Sequence, residues 1–379
     1  MKIYQLSQNT DMKHELKKLG VDGGGVNILA SKAKHFRIYI KDLPVGGANI
    51  LKQDALSIGA DLAVPRGTVI ASTPKVDCIL IATARELEIL SKKELAQPFG
   101  LKSLALELQK ILKIKKPQKT EIMGVINAND DSFFRGSRFK SSDAIVKIEQ
   151  MIEDGADIID IGAVSSRPNA PKVSVYEELE RISPILKIIK EEKLHDNVKF
   201  SCDSYEPIVL SRALESGFSI VNDITGFSND EVCKLTAQYN ARAIIMHMQG
   251  RPETMQENPK YDNILHDIYN FLEQKIQKTE AFGIKDIVLD VGIGFGKTLH
   301  DNLMLIKHLE YFLGLNKALL IGASRKSMID KISSSKVEDR LGGTLALHME
   351  AVTNGASMLR VHDVYEHVQA LKVLEALRD

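Results

Sequence analysis

The chain has 379 residues, more than the about 100–200 residues of one ordinary domain, so a large barrel with an extension or two mid-sized domains are the first alternatives. Its 50 basic and 50 acidic residues balance, which argues against a dedicated nucleic-acid binder with a basic excess. A composition of 44% hydrophobic and 26% charged residues is typical of a globular protein. No apolar run approaches the roughly 18–20 residues of a membrane span, and the amino-terminal segment lacks the apolar stretch of a secretory signal.

Cysteine occurs three times, as Cys78, Cys202 and Cys233. The odd number and the absence of a Cys-x-x-Cys spacing favour neither a disulfide framework nor a zinc site. We interpret all three as small buried hydrophobic residues in a reducing compartment, and we expect the protein to be cytoplasmic.

Residues 1–116 predict a small α/β domain. Glycines 23–25 and 46–47 precede no dinucleotide-binding or Walker spacing, and we interpret them as turn glycines. No constellation of catalytic residues is visible here, so we expect a domain that supplies no essential catalytic group. The predicted strands are HFRIYI (35–40), DLAVP (61–65) and DCILIA (77–82), and the predicted helices are ANILKQDALSIG (48–59) and LKSLALELQKILK (101–113).

A basic segment interrupted by proline, residues 113–120, separates this region from a differently patterned one, and we place the boundary near residue 117. After it, short apolar runs alternate with amphipathic helical segments. Ser174 and Glu177 predict a capping box at the start of the second of these helices. Near-continuous apolar runs are typical of parallel strands buried on both faces. The predicted strands are 122–127, 157–162, 198–203, 218–223, 241–247, 286–292, 318–324 and 357–363.

Eight strands alternate with eight helices over about 260 residues, which favours a (β/α)8 TIM barrel over a doubly wound open sheet. Because the carboxyl ends of barrel strands converge on one mouth, the polar residues that follow them form the candidate site. Arginine, lysine and histidine in this set could hold a polyanion, and the short acids and amides could bind the donors of a flat heterocycle. The strand-end residues are Asn127, Ser165–Pro168, Asp203, Asn222, His247, Asp290, Ser324–Ser327, Arg360 and His362.

Two strand-end features are interpreted conservatively. The segment Gly292–Thr298 suggests a phosphate loop, but Val291 stands where a Walker A motif needs glycine, so we expect a glycine loop in which Phe295 walls a substrate pocket. His247 has no metal-ligand spacing, and we expect a hydrogen-bonded structural or pocket-lining histidine.

Several motifs in chain order resemble those of the dihydropteroate synthase family over about residues 120–379. The resemblance does not extend to residues 1–116. The motifs are Ile122–Asn127 with Asp131–Phe133, Asp160–Gly162 with Ser165–Pro168, Met246–Thr254, Gly292–Lys297, Ser324–Ser327 and Arg360–Asp363.

This resemblance implies a pterin-binding barrel that joins 6-hydroxymethyl-7,8-dihydropterin diphosphate to 4-aminobenzoate and releases pyrophosphate. It implies a pterin pocket lined by Asp203, Asn222, Asp290 and Lys326, with both aspartates ionised. It implies a diphosphate site of Asn127, Arg167, Arg360 and His362, with Asn127 also a ligand of Mg2+. It implies contacts to 4-aminobenzoate from Ser166, Pro168, Phe295 and Ser327, and inhibition by sulfonamides. The groups expected to act on the reaction are Asn127, Arg167, Lys326, Arg360 and His362.

The chain departs from the family pattern at several positions. Asp130 and Val291 stand where the family usually has proline, and Ala163–Val164 replace Gly-Glu. Arg135 stands where the family usually has aspartate and is left out of the catalytic set, while Asp131 is a weaker candidate for that loop.

Two other functions remain as alternatives. A pterin-dependent methyltransferase uses a similar pterin pocket, but it has no diphosphate to expel and therefore no need for Lys326, Arg360 and His362 together with Arg167. A pterin-binding relative without turnover is the alternative that Arg135 and Asp130 suggest. The family resemblance also implies a homodimer that packs through barrel helices far from the site, with small-molecule substrates and no nucleic acid or membrane as partners.

Overall fold

The structure is a computed structural model that describes residues 1–7, 10–128, 139–164, 173–250 and 254–377, with no side chains described for 139–143. The chain divides into two compact units, Met1–Lys115 and Lys116–Asp379. Among the described residues, no helix is long and apolar enough to cross a membrane.

The second unit is a closed barrel of eight strands, in which each strand pairs in parallel with the next along the chain and the last pairs with the first. The predicted TIM barrel is confirmed. The strands are β4 (Glu121–Asn127), β5 (Ile158–Gly162), β6 (Lys199–Asp203), β7 (Ile220–Asp223), β8 (Arg242–Met246), β9 (Ile287–Asp290), β10 (Ala318–Ile321) and β11 (Met358–Val361).

Helices follow the strands, as the sequence predicts for a βα repeat. After the strand Ile287–Asp290, the helix Leu299–Lys307 is followed by the 3-10 helix Leu309–Leu315. The α-helices of this unit are α6 (Phe139–Glu153), α7 (Val175–Glu191), α8 (Pro207–Glu215), α9 (Asp230–Gln238), α10 (Ile264–Ala281), α11 (Leu299–Lys307), α12 (Ser327–Ile332), α13 (Leu341–Thr353) and α14 (Val364–Ala376).

Side-chain caps set the beginnings of several helices. Ser174 accepts a hydrogen bond from the backbone N–H of Glu177 at 3.2 Å and so caps α7. The carboxylate of Glu177 binds Arg181 at 2.6 Å, so the predicted reciprocal capping box is replaced by an ion pair. A complete capping box forms at α11 between Thr298 and Asp301.

The interior of the barrel is filled by one layer of large apolar side chains, as expected for a packed core rather than a pore. Seven of the eight strands contribute to it. Its members, all almost fully buried, are Met123, Ile158, Ile220, Ile244, Val288, Leu320 and Met358.

The first unit contains a three-stranded antiparallel sheet of order β1-β3-β2. One face of the sheet packs on a core that includes Leu51, Leu62, Leu80, Leu90 and Leu108. The strands are β1 (His35–Pro44), β2 (Asp61–Ala63) and β3 (Lys75–Thr83), and the α-helices are α1 (Met12–Lys18), α2 (Gly23–Ala33), α3 (Val45–Leu56), α4 (Ala84–Lys93) and α5 (Leu101–Lys113).

The prediction of turn glycines in this unit is wrong. Gly23–Gly25 form the first turn of α2, whose N-cap is Asp22, and Gly46 and Gly47 lie in the first turn of α3. A Cβ on Gly47 would come within 2.9 Å of the Phe99 carbonyl oxygen, so glycine there permits a close backbone approach.

Candidate active site

At the mouth of the barrel, where the strands end, one arginine bridges two acids from other strands. Arg360, on β11, places Nε 2.6 Å from Oδ2 of Asp160 and a terminal nitrogen 2.7 Å from Oδ2 of Asp203. Asp160 lies on β5 and Asp203 at the end of β6, so the ion triad joins three strands of the barrel. Arg360, a predicted diphosphate ligand, is therefore bonded to two carboxylates, one of which belongs to the predicted pterin ligand Asp203.

Asp160 is a site residue that the strand-end argument missed. Its side chain is fully buried, and its Oδ2 also accepts a hydrogen bond at 3.2 Å from the Asn222 amide. It stands two residues before the end of β5, and for that reason a search among the residues that follow the strands passes over it. A charged residue inside an otherwise apolar strand run was the signal available in the sequence.

The charges of the triad are unequal, because one guanidinium serves two carboxylates. Burial, together with the nearby Asp160 and Glu178, raises the pKa of Asp203 to about 7, although Arg360 opposes the shift. At this pKa the carboxyl group of Asp203 is partly protonated near neutral pH, and the expectation that it is ionised when a pterin is bound stays a prediction. The two acids hold the pKa of Arg360 above its usual range, so this group stays charged.

Asp290, at the end of β9, lies in the same region as Lys326. Its Oδ1 accepts a hydrogen bond from the Gly292 backbone N–H at 2.7 Å. Burial raises the pKa of Asp290 and lowers that of Lys326 to about 8, while the attraction between the two charges opposes both shifts. The Lys326 ammonium donates to the Ile293 carbonyl and lies 4.5 Å from the centre of the Phe295 ring. Lys326, Asp290 and Phe295 are thus brought together as predicted.

The loop after β9 is organised by a buried lysine. Lys297 Nζ donates to the carbonyl oxygens of Gly292 and Phe295, each at 2.9 Å, and lies 3.0 Å from Nδ1 of His247. Burial, followed by the charge of Lys297, lowers the pKa of His247 to about 2, so its ring is neutral and Nδ1 accepts. The prediction of a hydrogen-bonded structural histidine at His247 is confirmed.

His362 is also held in place, although not as a cation. Ser324 Oγ lies 2.9 Å from Nδ1 of His362 and accepts a hydrogen bond from its backbone N–H at 3.3 Å. Burial and the nearby Arg360 lower the pKa of His362 to about 4, so the ring is neutral at pH 7. At that pKa His362 contributes a hydrogen-bonding group rather than a positive charge, and its contact with the diphosphate stays a prediction.

A fully buried pair of histidines connects the segments that carry these residues. His348 Nε2 accepts from the Ala323 backbone N–H at 3.0 Å, and its Nδ1 lies 2.8 Å from Nε2 of His367. Nδ1 of His367 bonds to the Asp363 carbonyl oxygen. Because the chain begins at a fixed donor and ends at a fixed acceptor, both rings are neutral and both carry their proton on Nδ1. Their positions within α13 and α14 gave no sequence signal of this contact.

The remaining predicted residues are placed less closely or not described. Asn127, half-buried at the end of β4, pairs with Gly162 on β5, and no hydrogen bond joins it to the triad within the described part of the chain. Ser327 is exposed at the start of α12. The residues that lie outside the described ranges are Ser166, Arg167, Pro168, Asp130, Asp131 and Arg135.

The donor set allows only a limited metal site. Within the described ranges, no group of three or more histidines, cysteines, aspartates or glutamates could hold a metal ion. Mg2+ prefers oxygen ligands, keeps several waters and is often shared with substrate phosphates, so a single amide oxygen suffices on the protein side. Asn127 supplies such an oxygen at the barrel mouth and fits this kind of ion.

Comparisons with known proteins agree with this geometry. The sequence model of the pterin binding enzyme family matches residues 123–362. The chain is 44% identical over 368 residues to a bifunctional dihydropteroate synthase/dihydropteroate reductase of Helicobacter pylori, covering 97% of both chains. It is 38% identical over 274 residues to the dihydropteroate synthase of Haemophilus influenzae, covering 70% of this chain and 96% of the relative.

Solved structures give the same result for the barrel. A dihydropteroate synthase of Clostridium difficile, determined in the presence of pteroic acid, superposes with a TM-score of 0.64 at 34% identity and covers 69% of this chain and 98% of that one. The Xanthomonas albilineans enzyme with 4-aminobenzoic acid gives a TM-score of 0.63 at 32% identity, covering 69% and 93% of the two chains. The chain therefore belongs to the dihydropteroate synthase family of pterin-binding enzymes.

Proposed function

We propose that the mouth of the barrel is where this chain joins 6-hydroxymethyl-7,8-dihydropterin diphosphate to 4-aminobenzoate. The observation that carries the assignment is the Arg360–Asp160–Asp203 triad, which places a permanent cation beside buried acceptors from neighbouring strands. A diphosphate needs the cation, and the ring N–H groups of a pterin need the acceptors.

Asp203, Asn222 and Asp290 are the proposed pterin ligands. All three are rooted on strand ends and largely withdrawn from water, where a hydrogen bond that lacks its partner is costly. Donors on the pterin ring would favour the ionised form of each aspartate and would lower its pKa on binding. Lys326, beside Asp290, is the proposed cationic partner of the ring.

Binding of the pterin would also change the partners of Arg360. The guanidinium shares Asp203 with the incoming ring donors, so their arrival weakens one of its two ion pairs. Asp160 keeps the other side of the guanidinium in place through Nε. The freed N–H groups can then bind the diphosphate, which couples recognition of the ring to recognition of the leaving group.

The reaction requires mainly positioning and charge stabilisation. The neutral amine of 4-aminobenzoate attacks the pterin methylene carbon, the C–O bond to the diphosphate breaks, and the amine proton passes to solvent. Charge accumulates on the departing pyrophosphate, where Arg360, Arg167 and the His362 hydrogen bond would stabilise it. Mg2+ held by Asn127 would supply further neutralisation of the phosphate oxygens when it is bound.

The proposed contacts of 4-aminobenzoate are Phe295, Ser327, Ser166 and Pro168. Phe295 is partly exposed with one face toward Lys326, so its ring can form an apolar wall for an aromatic substrate. Sulfonamides should compete for this subsite, and a Yersinia pestis dihydropteroate synthase has been solved with a sulfonamide drug complex.

The test is direct turnover by the full chain with Mg2+ and both substrates. Formation of dihydropteroate and pyrophosphate, competitive inhibition by a sulfonamide against 4-aminobenzoate, and loss of turnover in EDTA with recovery on adding Mg2+ are expected. Pterin binding without product would instead identify a relative that has lost turnover. Tighter binding of methyltetrahydrofolate than of the diphosphate substrate would favour a methyltransferase.

A second activity, reduction of dihydropteroate, is favoured by one observation. The Helicobacter pylori relative whose name includes dihydropteroate reductase matches 97% of this chain and therefore also the unit Met1–Lys115. The reaction would transfer a hydride and a proton to the ring C=N bond, and the electrons would come from a reduced nicotinamide or flavin. Oxidation of NADPH that depends on dihydropteroate, with and without added flavin, is the measurement; no oxidation under either condition would reject it.

We also propose that the chain acts as a homodimer in the cytoplasm, as its family resemblance implies. Three free, buried cysteines support a reducing compartment. Light scattering that reports a monomer at micromolar concentration would contradict the dimer.

A further inference from the structure

The sequence Gly292–Thr298 imitates a phosphate-binding loop, but its lysine is directed inward. Lys297 is 2% exposed, although lysine is almost never fully buried unless it is paired. In a phosphate loop the corresponding lysine would reach the ligand. Here the ammonium of Lys297 instead donates to backbone carbonyls of its own loop.

Neutral acceptors are available for every donor of Lys297. An ammonium has three N–H bonds, and four neutral acceptors lie within hydrogen-bond distance: the carbonyls of Gly292, Phe295 and His247 and the neutral Nδ1 of His247. No carboxylate within the described ranges forms a salt bridge with Lys297. Burial lowers the pKa of Lys297 to about 7, and the nearby Asp290 opposes the shift. An apolar side chain would fill the same space without that cost, so the lysine is explained by the backbone groups it holds.

The loop is pressed backbone to backbone against the segment that follows β8. Gly292 has a φ of +70°, and a Cβ there would lie 1.9 Å from the His247 carbonyl oxygen. Gly296 has a φ of +61°, and a Cβ there would lie 2.5 Å from the Gln249 carbonyl oxygen. Two side chains from the segment after β8 also bind this loop. Tyr261 Oη donates to the Gly296 carbonyl at 2.7 Å, and Gln256 Nε2 donates to the Gly294 carbonyl at 2.8 Å.

Phe295 is a partly exposed residue of this loop, and its own carbonyl is one of the two that Lys297 binds. The bond from Lys297 to the Phe295 carbonyl sets the backbone that carries the ring, and the bond to Gly292 closes the loop behind it. Lys326 lies over the ring and donates to Ile293. Phe295 is thereby held through its backbone by Lys297 and contacted at its ring by Lys326.

We propose that Lys297 is a positioning residue for 4-aminobenzoate: it acts through the loop backbone to hold the Phe295 ring where the aromatic substrate binds. The inference rests on the proposed contact between Phe295 and 4-aminobenzoate. It assigns Lys297 no contact with either substrate and no part in proton transfer.

The test is Lys297→Met in the full chain, with the KM of each substrate measured separately. The KM for 4-aminobenzoate should rise about tenfold, because a shift of about 1 Å in a positioned group is enough to cost one to two orders of magnitude. The KM for dihydropterin diphosphate should change less than about twofold, since its proposed ligands lie on other strands. A purely structural role would lower the active fraction and hence kcat, and would leave the KM for 4-aminobenzoate unchanged.

Lys317→Met is the matched control. Lys317 is also a largely buried lysine, but it precedes β10 at the opposite end of the barrel and pairs with Glu280 at 2.6 Å. Both KM values should stay within twofold of wild type in this variant.

Phe295→Ala shows whether Lys297 acts through the ring. In that background Lys297→Met should raise the KM for 4-aminobenzoate less than about twofold further, because the positioned group is already gone. Additive effects, or a KM for 4-aminobenzoate within twofold of wild type in folded Lys297→Met, would overturn the inference.

Folding of the variants also decides the question. If Lys297→Met does not fold, Lys297→Gln, which keeps an amide donor, is measured with the same criteria, and failure of both to fold would assign Lys297 to stability and reject the inference. Absence of turnover in the wild-type protein would reject the proposed function itself, which is a separate outcome.

Discussion

Two arginines, one at each end of the same barrel, make nearly the same contacts with different consequences. At the closed end, Arg242 binds Glu121 at 2.8 Å and Asp286 at 2.9 Å. At the mouth, Arg360 binds Asp160 at 2.6 Å and Asp203 at 2.7 Å. The side chains of Glu121 and Asp286 are 26% and 56% exposed, whereas those of Asp160 and Asp203 are 0% and 14% exposed.

The difference lies in solvation rather than in bond length. Water screens the outer triad, and such pairs contribute at most about 1 kcal/mol. In the inner triad two buried acids compete for one guanidinium, and burial together with the neighbouring acid raises the pKa of Asp203. A substrate that brings its own hydrogen-bond donors can compensate the buried negative charge of these acids. Ion-pair geometry alone therefore does not distinguish a stabilising triad from a binding site.

The largest effect expected is that of Arg360→Gln. It removes the proposed diphosphate cation and leaves two acids without their shared partner, so kcat/KM should fall about 1000-fold. Arg242→Gln is the matched change at the other end of the barrel, and kcat/KM should stay within about threefold. Steady-state kinetics are measured on both variants, with circular dichroism to confirm folding. Similar losses of kcat/KM in the two variants would contradict the proposed difference between the two triads.

Asp160→Asn should have the next largest effect. The amide carries no charge, so the bond to Arg360 Nε is weakened while ionised Asp203 still attracts the other side of the guanidinium. We expect kcat/KM for dihydropterin diphosphate to fall roughly 10–100-fold, on the scale of a misplaced positioning group. Asp286→Asn, at the outer triad, is the control. Wild-type kinetics in Asp160→Asn would show that Arg360 is positioned without its buried partner.

The pH dependence of kcat/KM for dihydropterin diphosphate should reflect Asp203 and Lys326, two groups at the barrel mouth whose pKa values lie near neutrality. If the ionised form of Asp203 accepts the pterin donors, as proposed, kcat/KM should rise up to about tenfold per pH unit below about 7 and then level off. Above about 8 it should fall as Lys326 loses its proton. In Asp203→Asn, the part of the decrease in kcat/KM at low pH that comes from the enzyme should disappear. The part that comes from protonation of the diphosphate substrate itself should remain. An unchanged decrease at low pH would contradict the role of Asp203.

The fold of the barrel could be predicted because its signal is local. Runs such as DIIDIG and FSIVND are apolar enough to identify buried parallel strands, and the helical segments between them repeat regularly. The glycines at 23–25 and 46–47 were misinterpreted for a different reason. Glycine permits turns, but whether it occupies one depends on neighbours such as Phe99, which are distant in sequence.

The site could be predicted only in part. The position of a residue after a strand is readable from sequence, and that placed Asp203, Asp290, Lys326 and Arg360 at one mouth. Pairing and protonation are not readable, because they depend on contacts between strands far apart in the chain. The Arg360–Asp160 bond spans 200 positions and the His348–His367 contact joins two helices. The neutral His362 follows from burial, which no spacing rule reports.

The smallest effect on turnover should come from a buried acid in the other unit. Glu94 is fully buried in the unit Met1–Lys115, and burial together with nearby Asp54 raises its pKa to about 7, as for Asp203. Because the folded pKa exceeds the ordinary value of 4.5, the stability that the protonated group contributes is present below that value and is lost as the pH rises through about 7. Glu94→Gln replaces the acid with a permanently neutral group of the same shape. The variant should unfold with a free energy about 1–2 kcal/mol higher than wild type at pH 8 and nearly equal at pH 4, measured by hydrogen exchange of amides in α3 and α4.

Turnover should stay within twofold in Glu94→Gln, because no group of this unit is expected to act in the reaction. Glu107→Gln, an exposed acid on α5 with 58% of its side chain accessible, is the control and should change neither property. A fall in kcat in Glu94→Gln with folding intact would show that this unit contributes to the synthase reaction, and the contrast between a buried acid that binds substrate and one that only limits stability would then fail.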